Sequence, residues 1–209
     1  MRGSDGLLAF FEALLGHTCP GCGGRLDRPL LCSACRKGLR PHRARLFGAE
    51  AVYLGSYAQY GGLARALKYG GRRGLAHLLA PPLAEGARDW PLMGVTWVPG
   101  LEHRTLLRGH HPPEVLARAL ARALGLPSAP LLFRARYAPS QVLGRRRALP
   151  LDAFRPLGRA QGIWLLVDDV LTSGATFLRA RSALLEAGVE GVYGAFIALK
   201  REALGPFLD

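Results

Sequence analysis

Residues 165–176 constrain this chain more than any other stretch. They read Leu165-Leu166-Val167-Asp168-Asp169-Val170-Leu171-Thr172-Ser173-Gly174-Ala175-Thr176. Residues 163–167 are apolar throughout, as expected of a strand buried on both faces. That strand delivers two adjacent carboxylates to its C-terminal edge, where open α/β sheets bind ligands. A turn rich in hydroxyls and carrying Gly174 follows, and a helix is predicted over residues 175–187, stopped by Gly188. Its apolar face is expected to carry Phe177, Leu178, Leu184 and Leu185. The first turn of a helix offers unpaired N–H groups and partial positive charge, a natural seat for a phosphate. The hydroxyls of Thr172, Ser173 and Thr176 add donors, and Gly174 lets the backbone come close. Asp168 and Asp169 lie within reach of vicinal sugar hydroxyls. Carboxylates accept from hydroxyls and phosphate accepts from amides, so the segment describes a ribose 5-phosphate. The plain alternative is a capped helix beside an incidental acidic pair. A lone Ser-Gly-x-Thr would not exceed it, but the whole ordered run is far more specific.

The rest of the chain alternates strands and helices. Strands are predicted over residues 51–57, 94–98 and 192–199. Helices are predicted over residues 61–68, 75–85 (interrupted by Pro81-Pro82) and 113–124. The last has Pro113 in its first turn, Glu114 beside it and Gly125 past its end. Such alternation implies an α/β fold with a parallel sheet flanked by helices.

All four cysteines fall in two Cys-x-x-Cys pairs, Cys19 with Cys22 and Cys32 with Cys35. Two such pairs suit a tetrahedral zinc ion, and four sulfurs close the coordination sphere to water and substrate. A disulfide framework is disfavoured in a reducing compartment, and a redox motif would use one pair. Residues 1–45 therefore read as a small N-terminal four-cysteine zinc module whose metal contributes folding energy, and residues 46–209 as the main domain. Residues 6–15 are apolar but contain Glu12 and lack the flanks of a signal peptide, so they read as a short amphipathic helix. No run is long enough to span a bilayer, and the chain is expected to be cytoplasmic.

The 209 residues carry 28 Lys+Arg against 15 Asp+Glu, a net charge of +13. Such an excess attracts polyanions: phosphorylated small molecules, nucleic acid or anionic lipid. Residues 100–150 hold nine Arg against two Glu, which makes that segment the place to look for DNA. Its only interleaved aromatics are Phe133 and Tyr137, few for a single-strand binder.

The run from Leu165 to Thr176 resembles the phosphoribosyl-pyrophosphate (PRPP) signature of type I phosphoribosyltransferases. That resemblance implies that Asp168 and Asp169 face the ribose hydroxyls and act in catalysis. It also implies that Thr172, Ser173, Gly174, Ala175 and Thr176 cradle the 5′-phosphate. The cysteine pairs, Leu67-Lys68-Tyr69, Val98-Pro99, Arg108-Gly109, residues 116–127, Gln141 and Arg145-Arg146-Arg147 occur in an order similar to the ComF family. This resemblance covers nearly the whole chain and implies a type I phosphoribosyltransferase fold. Pro99 and Gly100 would then lie in the pyrophosphate loop, Arg108 would be catalytic, and Gln141, Arg145, Arg146 and Arg147 would sit on a hood over the site. The resemblance also implies Mg²⁺ bound with PRPP, or a nucleotide monophosphate as ligand. A role in competence follows, with single-stranded DNA and a DNA-uptake helicase as partners, and a homodimer is compatible with it. Two roles follow: a phosphoribosyltransferase on an unidentified acceptor, or a non-catalytic assembly factor. The family's Val-Pro-Val-Pro is here Val98-Pro99-Gly100-Leu101, and its Arg-Gly-Phe-Asn-Gln is Arg108-Gly109-His110-His111-Pro112. The missing amide side chains bear on turnover more than on binding. His110 and His111, adjacent in a loop, are expected to be exposed.

Overall fold

A strand that is apolar on both faces needs a layer of helices or hairpins on each side. The computed structural model, which describes residues 18–69, 71–101, 105–106, 109–135, 150 and 152–200, provides both layers. Its strands are β1 (His42–Leu46), β2 (Ala49–Ser56), β3 (Leu92–Trp97), β4 (Leu132–Arg134), β5 (Phe154–Pro156), β6 (Ile163–Leu171) and β7 (Gly191–Leu199). Its helices are α1 (Ser33–Gly38), α2 (Tyr57–Tyr69), α3 (Leu75–Ala87), α4 (Pro112–Leu124) and α5 (Ala175–Glu186). The five-stranded sheet runs β1-β2-β7-β6-β3 and is parallel except for β1. The chain is thus α/β, with a mostly parallel central sheet flanked by helices. Among the described residues no helix is long and apolar enough to cross a membrane.

Two apolar clusters lie on the two faces of the sheet. Leu165 and Val167 of β6 join Leu63 and Leu67 of α2, Leu75, Leu79 and Leu83 of α3, and Leu116 and Leu120 of α4. Leu166 joins Phe177, Ala180 and Leu184 of α5, and Leu132 and Phe154 of the β4–β5 hairpin. The helices that follow β3 and β6 therefore pack on opposite faces of the sheet. Between two adjacent strands whose connections part in this way lies the crevice where α/β sheets hold ligands. The cysteine segment packs on the first cluster through Cys19, Leu26, Leu31, Cys32 and Leu39.

Three expectations change. Helix α3 is not interrupted: it runs through Pro81 and Pro82, although each ring removes a backbone donor. Leu75, Leu79 and Leu83 are fully buried, and this burial outweighs local propensity. On α5 the buried stripe is Phe177, Ala180, Ala183 and Leu184, while Leu178 and Leu185 face outward. Strand β6 does not stop at Val167 but carries both aspartates to Leu171.

Strand β1 and the β4–β5 hairpin have no counterpart among the predicted elements. Two residues, Phe47 and Gly48, join β1 to β2, both with positive φ (52° and 75°), the conformation that two-residue hairpin turns require. This turn reaches the start of α5. Arg181 donates to the Phe47 carbonyl at 3.1 Å, and the Phe47 ring lies so close to Gly174 that a Cβ there would strike it. With a φ of 78°, Gly174 is fixed on both counts.

Candidate functional site

Side chains on a strand alternate between faces, so two neighbouring residues ordinarily point apart. In β6 the alternation changes phase at the aspartates. Val167 packs with the first cluster, and so does Val170, three residues on, while Leu171 packs with the second. Both carboxylates can therefore line one cleft, a cavity of about 740 Å³ at the C-terminal edge of the sheet. Asp168 Oδ1 accepts from the Asp169 amide at 2.8 Å, and Asp169 Oδ1 accepts from the Val170 amide at 3.0 Å. Asp169 is buried, and its Oδ2 lies 3.2 Å from the Lys68 ammonium. Burial, then the neighbouring Asp169 charge, pushes the Asp168 carboxyl well above its ordinary range, with Lys68 pulling the other way.

The structure brings most of the predicted phosphate-site residues together. Asp168, Asp169, Thr172, Thr176, Pro99 and Gly100 all line the cleft. Thr172, Ser173 and Ala175 are exposed in the turn and Gly174 is buried behind it against Phe47. Gly100 has a packing reason of its own: a Cβ there would come within 2.7 Å of the His111 ring. Arg108, Gln141, Arg145, Arg146 and Arg147 lie outside the described residues, as does Tyr137. His110 departs from expectation. It is buried, with its Nε2 2.7 Å from the Leu67 carbonyl, and so it ties the loop before α4 to the end of α2. His111 is half-buried and lines the cleft.

One wall was missed by the sequence reading. Tyr57, Ala64, Arg65 and Lys68 of α2 line the cleft, positions that share one helical face. Lys200, just past β7, also lines it, with its Nζ 5.3 Å from the centre of the Tyr57 ring. Arg134 enters from β4 with its guanidinium 5.6 Å over the Phe154 ring. The cleft thus holds four Lys or Arg side chains and two carboxylates, a balance that favours an anionic ligand. The signal was present in the 57/64/65/68 spacing, which only reads as a cleft wall once the helix has a place.

The four cysteines meet as a second site. Their sulfurs all lie within 4.8 Å of one another. The Cys22 and Cys32 sulfurs are 3.8 Å apart, the edge of roughly 3.8 Å expected between sulfurs about 2.3 Å from a tetrahedral ion. Cys32 caps α1 and accepts from the Cys35 amide at 3.4 Å. Gly21 is required here, since a Cβ would come within 2.8 Å of the Cys35 sulfur. Burial pushes the Cys19 thiol up, yet hydrogen bonds from the backbone of Cys32, Cys22 and Gly21 bring it down to about 6. Burial, then the other thiols, push Cys35 up. Four sulfur donors gathered at this spacing fit a metal ion.

Comparison with protein-family models and with curated proteins returns no match for this chain.

Both sites can be probed through stability. Because Asp168 is held above its ordinary value of 3.8, the folded chain keeps this proton at a pH where the unfolded chain has lost it. Stability is therefore lost as pH rises above that value. Asp168→Asn is expected to raise the melting temperature by a few degrees at neutral pH, a gain that vanishes below the ordinary value. An equal gain at every pH would point to some other cause. At the second site, the purified protein is expected to carry one metal ion per chain by elemental analysis. Cys22→Ser or a strong chelator should remove it and lower the melting temperature by about 10 °C or more, the response to several kcal/mol of lost binding energy. Unchanged melting after complete metal loss would contradict a stabilising role.

Proposed function

We propose that the cleft binds PRPP and that the chain is a ComF-like protein with a type I phosphoribosyltransferase fold over residues 46–209. One observation carries this reading. Two adjacent carboxylates share one cleft with Thr172 and Thr176, the two ends of the Thr172-Ser173-Gly174-Ala175-Thr176 turn at a helix start, at the crevice between β3 and β6. The turn takes the 5′-phosphate on backbone amides and on the hydroxyls of Thr172, Ser173 and Thr176. Asp168 and Asp169 accept from the ribose hydroxyls, which fixes the ring. Pro99 and Gly100 lie where the diphosphate would pass. A volume of about 740 Å³ suits a ligand of this size.

Phosphoribosyl transfer asks little covalent chemistry of the protein. The C1–O bond breaks with its electron pair leaving on diphosphate, and an acceptor lone pair takes its place. The carboxylates hold the ring as positive charge develops at C1. Arg65, Lys68, Lys200 and Arg134 supply a field for the departing anion. Mg²⁺ prefers phosphate oxygens and water to a cage of protein ligands, so it would come on the diphosphate itself and neutralise part of its charge. In the same reading the four cysteines hold structural zinc.

Calorimetric titration of Mg²⁺·PRPP tests this directly. The wild type should bind, and Asp168→Asn/Asp169→Asn should bind roughly 100-fold more weakly or not at all, a loss of about 2.7 kcal/mol. No binding by a folded, metal-loaded wild type would overturn the reading.

The net charge of +13 favours a second role, which need not exclude the first. In it the chain is a non-catalytic factor in DNA uptake that contacts single-stranded DNA and a helicase. An oligonucleotide is then expected to bind with an affinity that falls linearly with salt on logarithmic axes. Absence of binding at low salt would remove direct DNA contact from the account.

A further inference from the structure

Lys68 stands on the far side of the carboxylates from the phosphate turn. It comes from α2, which packs on one face of the sheet, whereas the turn opens α5 on the other. Asp169 lies between them, 3.2 Å from the Lys68 ammonium. Arg65 lies three residues earlier on the same side of α2, and Lys200 follows β7 beside Tyr57, so the Lys68 side of the cleft carries three cations. Ribose 5-phosphate, with its phosphate on the turn and its hydroxyls on the aspartates, would leave this side without an anion other than Asp169.

We infer that Lys68 is the specificity residue of the cleft: it leaves Asp169 to take the anionic group on C1 of the sugar, and so separates PRPP from ribose 5-phosphate. The inference rests on the proposed placement of the ribose and 5′-phosphate. Its physical logic is an exchange of partners. A buried carboxylate needs a counter-charge or donors, and in the free cleft Lys68 supplies them. Ribose hydroxyls that donate to Asp169 take over that task. The ammonium then needs an anion of its own, and a flexible four-carbon stem carrying a compact charge is suited to the move. A sugar monophosphate displaces Lys68 without offering it a new partner, whereas PRPP does both. Specificity is the difference between these two outcomes.

The test is a titration of PRPP and of ribose 5-phosphate, each with Mg²⁺, into the wild type, Lys68→Met, Lys68→Gln and Lys68→Arg. The wild type should prefer PRPP by roughly tenfold or more. Both neutral variants should bring that ratio close to one, mainly through weaker PRPP binding, and Lys68→Arg should keep most of it. Lys68→Gln can still donate to Asp169, so it reports on the cleft if Lys68→Met does not fold. If the neutral variants weaken both ligands equally, or leave the ratio intact, Lys68 is only a structural counter-ion and the inference fails. If the wild type binds neither sugar, the underlying placement fails with it. Binding that is lost in Asp168→Asn/Asp169→Asn, beside a ratio unmoved in the Lys68 variants, overturns the inference alone.

Discussion

Two carboxylates on neighbouring residues of one strand, at the edge of a packed sheet, repel each other where water screens them poorly. Everything around them answers to that repulsion. Asp168 holds its proton more tightly than a free carboxyl does, Asp169 is paired with Lys68, and both accept backbone amides from their own strand. An arrangement so unfavourable to an empty fold makes sense as a binding site, since ligand hydroxyls can satisfy the pair better than the protein alone. The same logic explains why Lys68 of α2 is turned toward Asp169.

The fold serves to hold this point in place. β6 is paired with β3 as far as Val167 and with β7 through Leu171, so the sheet holds its end along the β7 side. The β1–β2 turn braces the start of α5, with Phe47 filling the space that Gly174 leaves open. His110 fastens the loop after β3 to α2 through the Leu67 carbonyl, which sets Gly100 and His111 against each other. The cysteine segment lies on the same apolar cluster as α2 and α3. A metal ion held by the four cysteines would therefore support the helix from which Lys68 projects.

The sequence was most legible where the physics is local. The strand, the hydroxyl-rich turn and the α5 start are written in consecutive residues, and the Cys-x-x-Cys pairs announce themselves by spacing. The capped ends of α4 were legible for the same reason, with Gly125 in the left-handed conformation past the last turn. What was hidden depends on distant partners. Lys68 is legible only as part of the Leu67-Lys68-Tyr69 run, with no site role, until α2 is laid across the end of β6. Pro81-Pro82 look like a break until the leucines around them are seen fully buried. His110 looks exposed until a carbonyl 43 residues away receives it. Leu178 and Leu185 fit a helical period but on the wrong stripe, because Phe177 and Leu184 already fill the contact with the sheet.

The most direct measurement is an electron-density map of the protein crystallised with ribose 5-phosphate. The expected map shows the phosphate within hydrogen-bond distance of the amides of residues 172–176, and the 2′- and 3′-hydroxyls on Asp168 and Asp169. A sugar bound the other way round, with its phosphate on Lys68 and Arg65, or one bound away from this cleft, would contradict it.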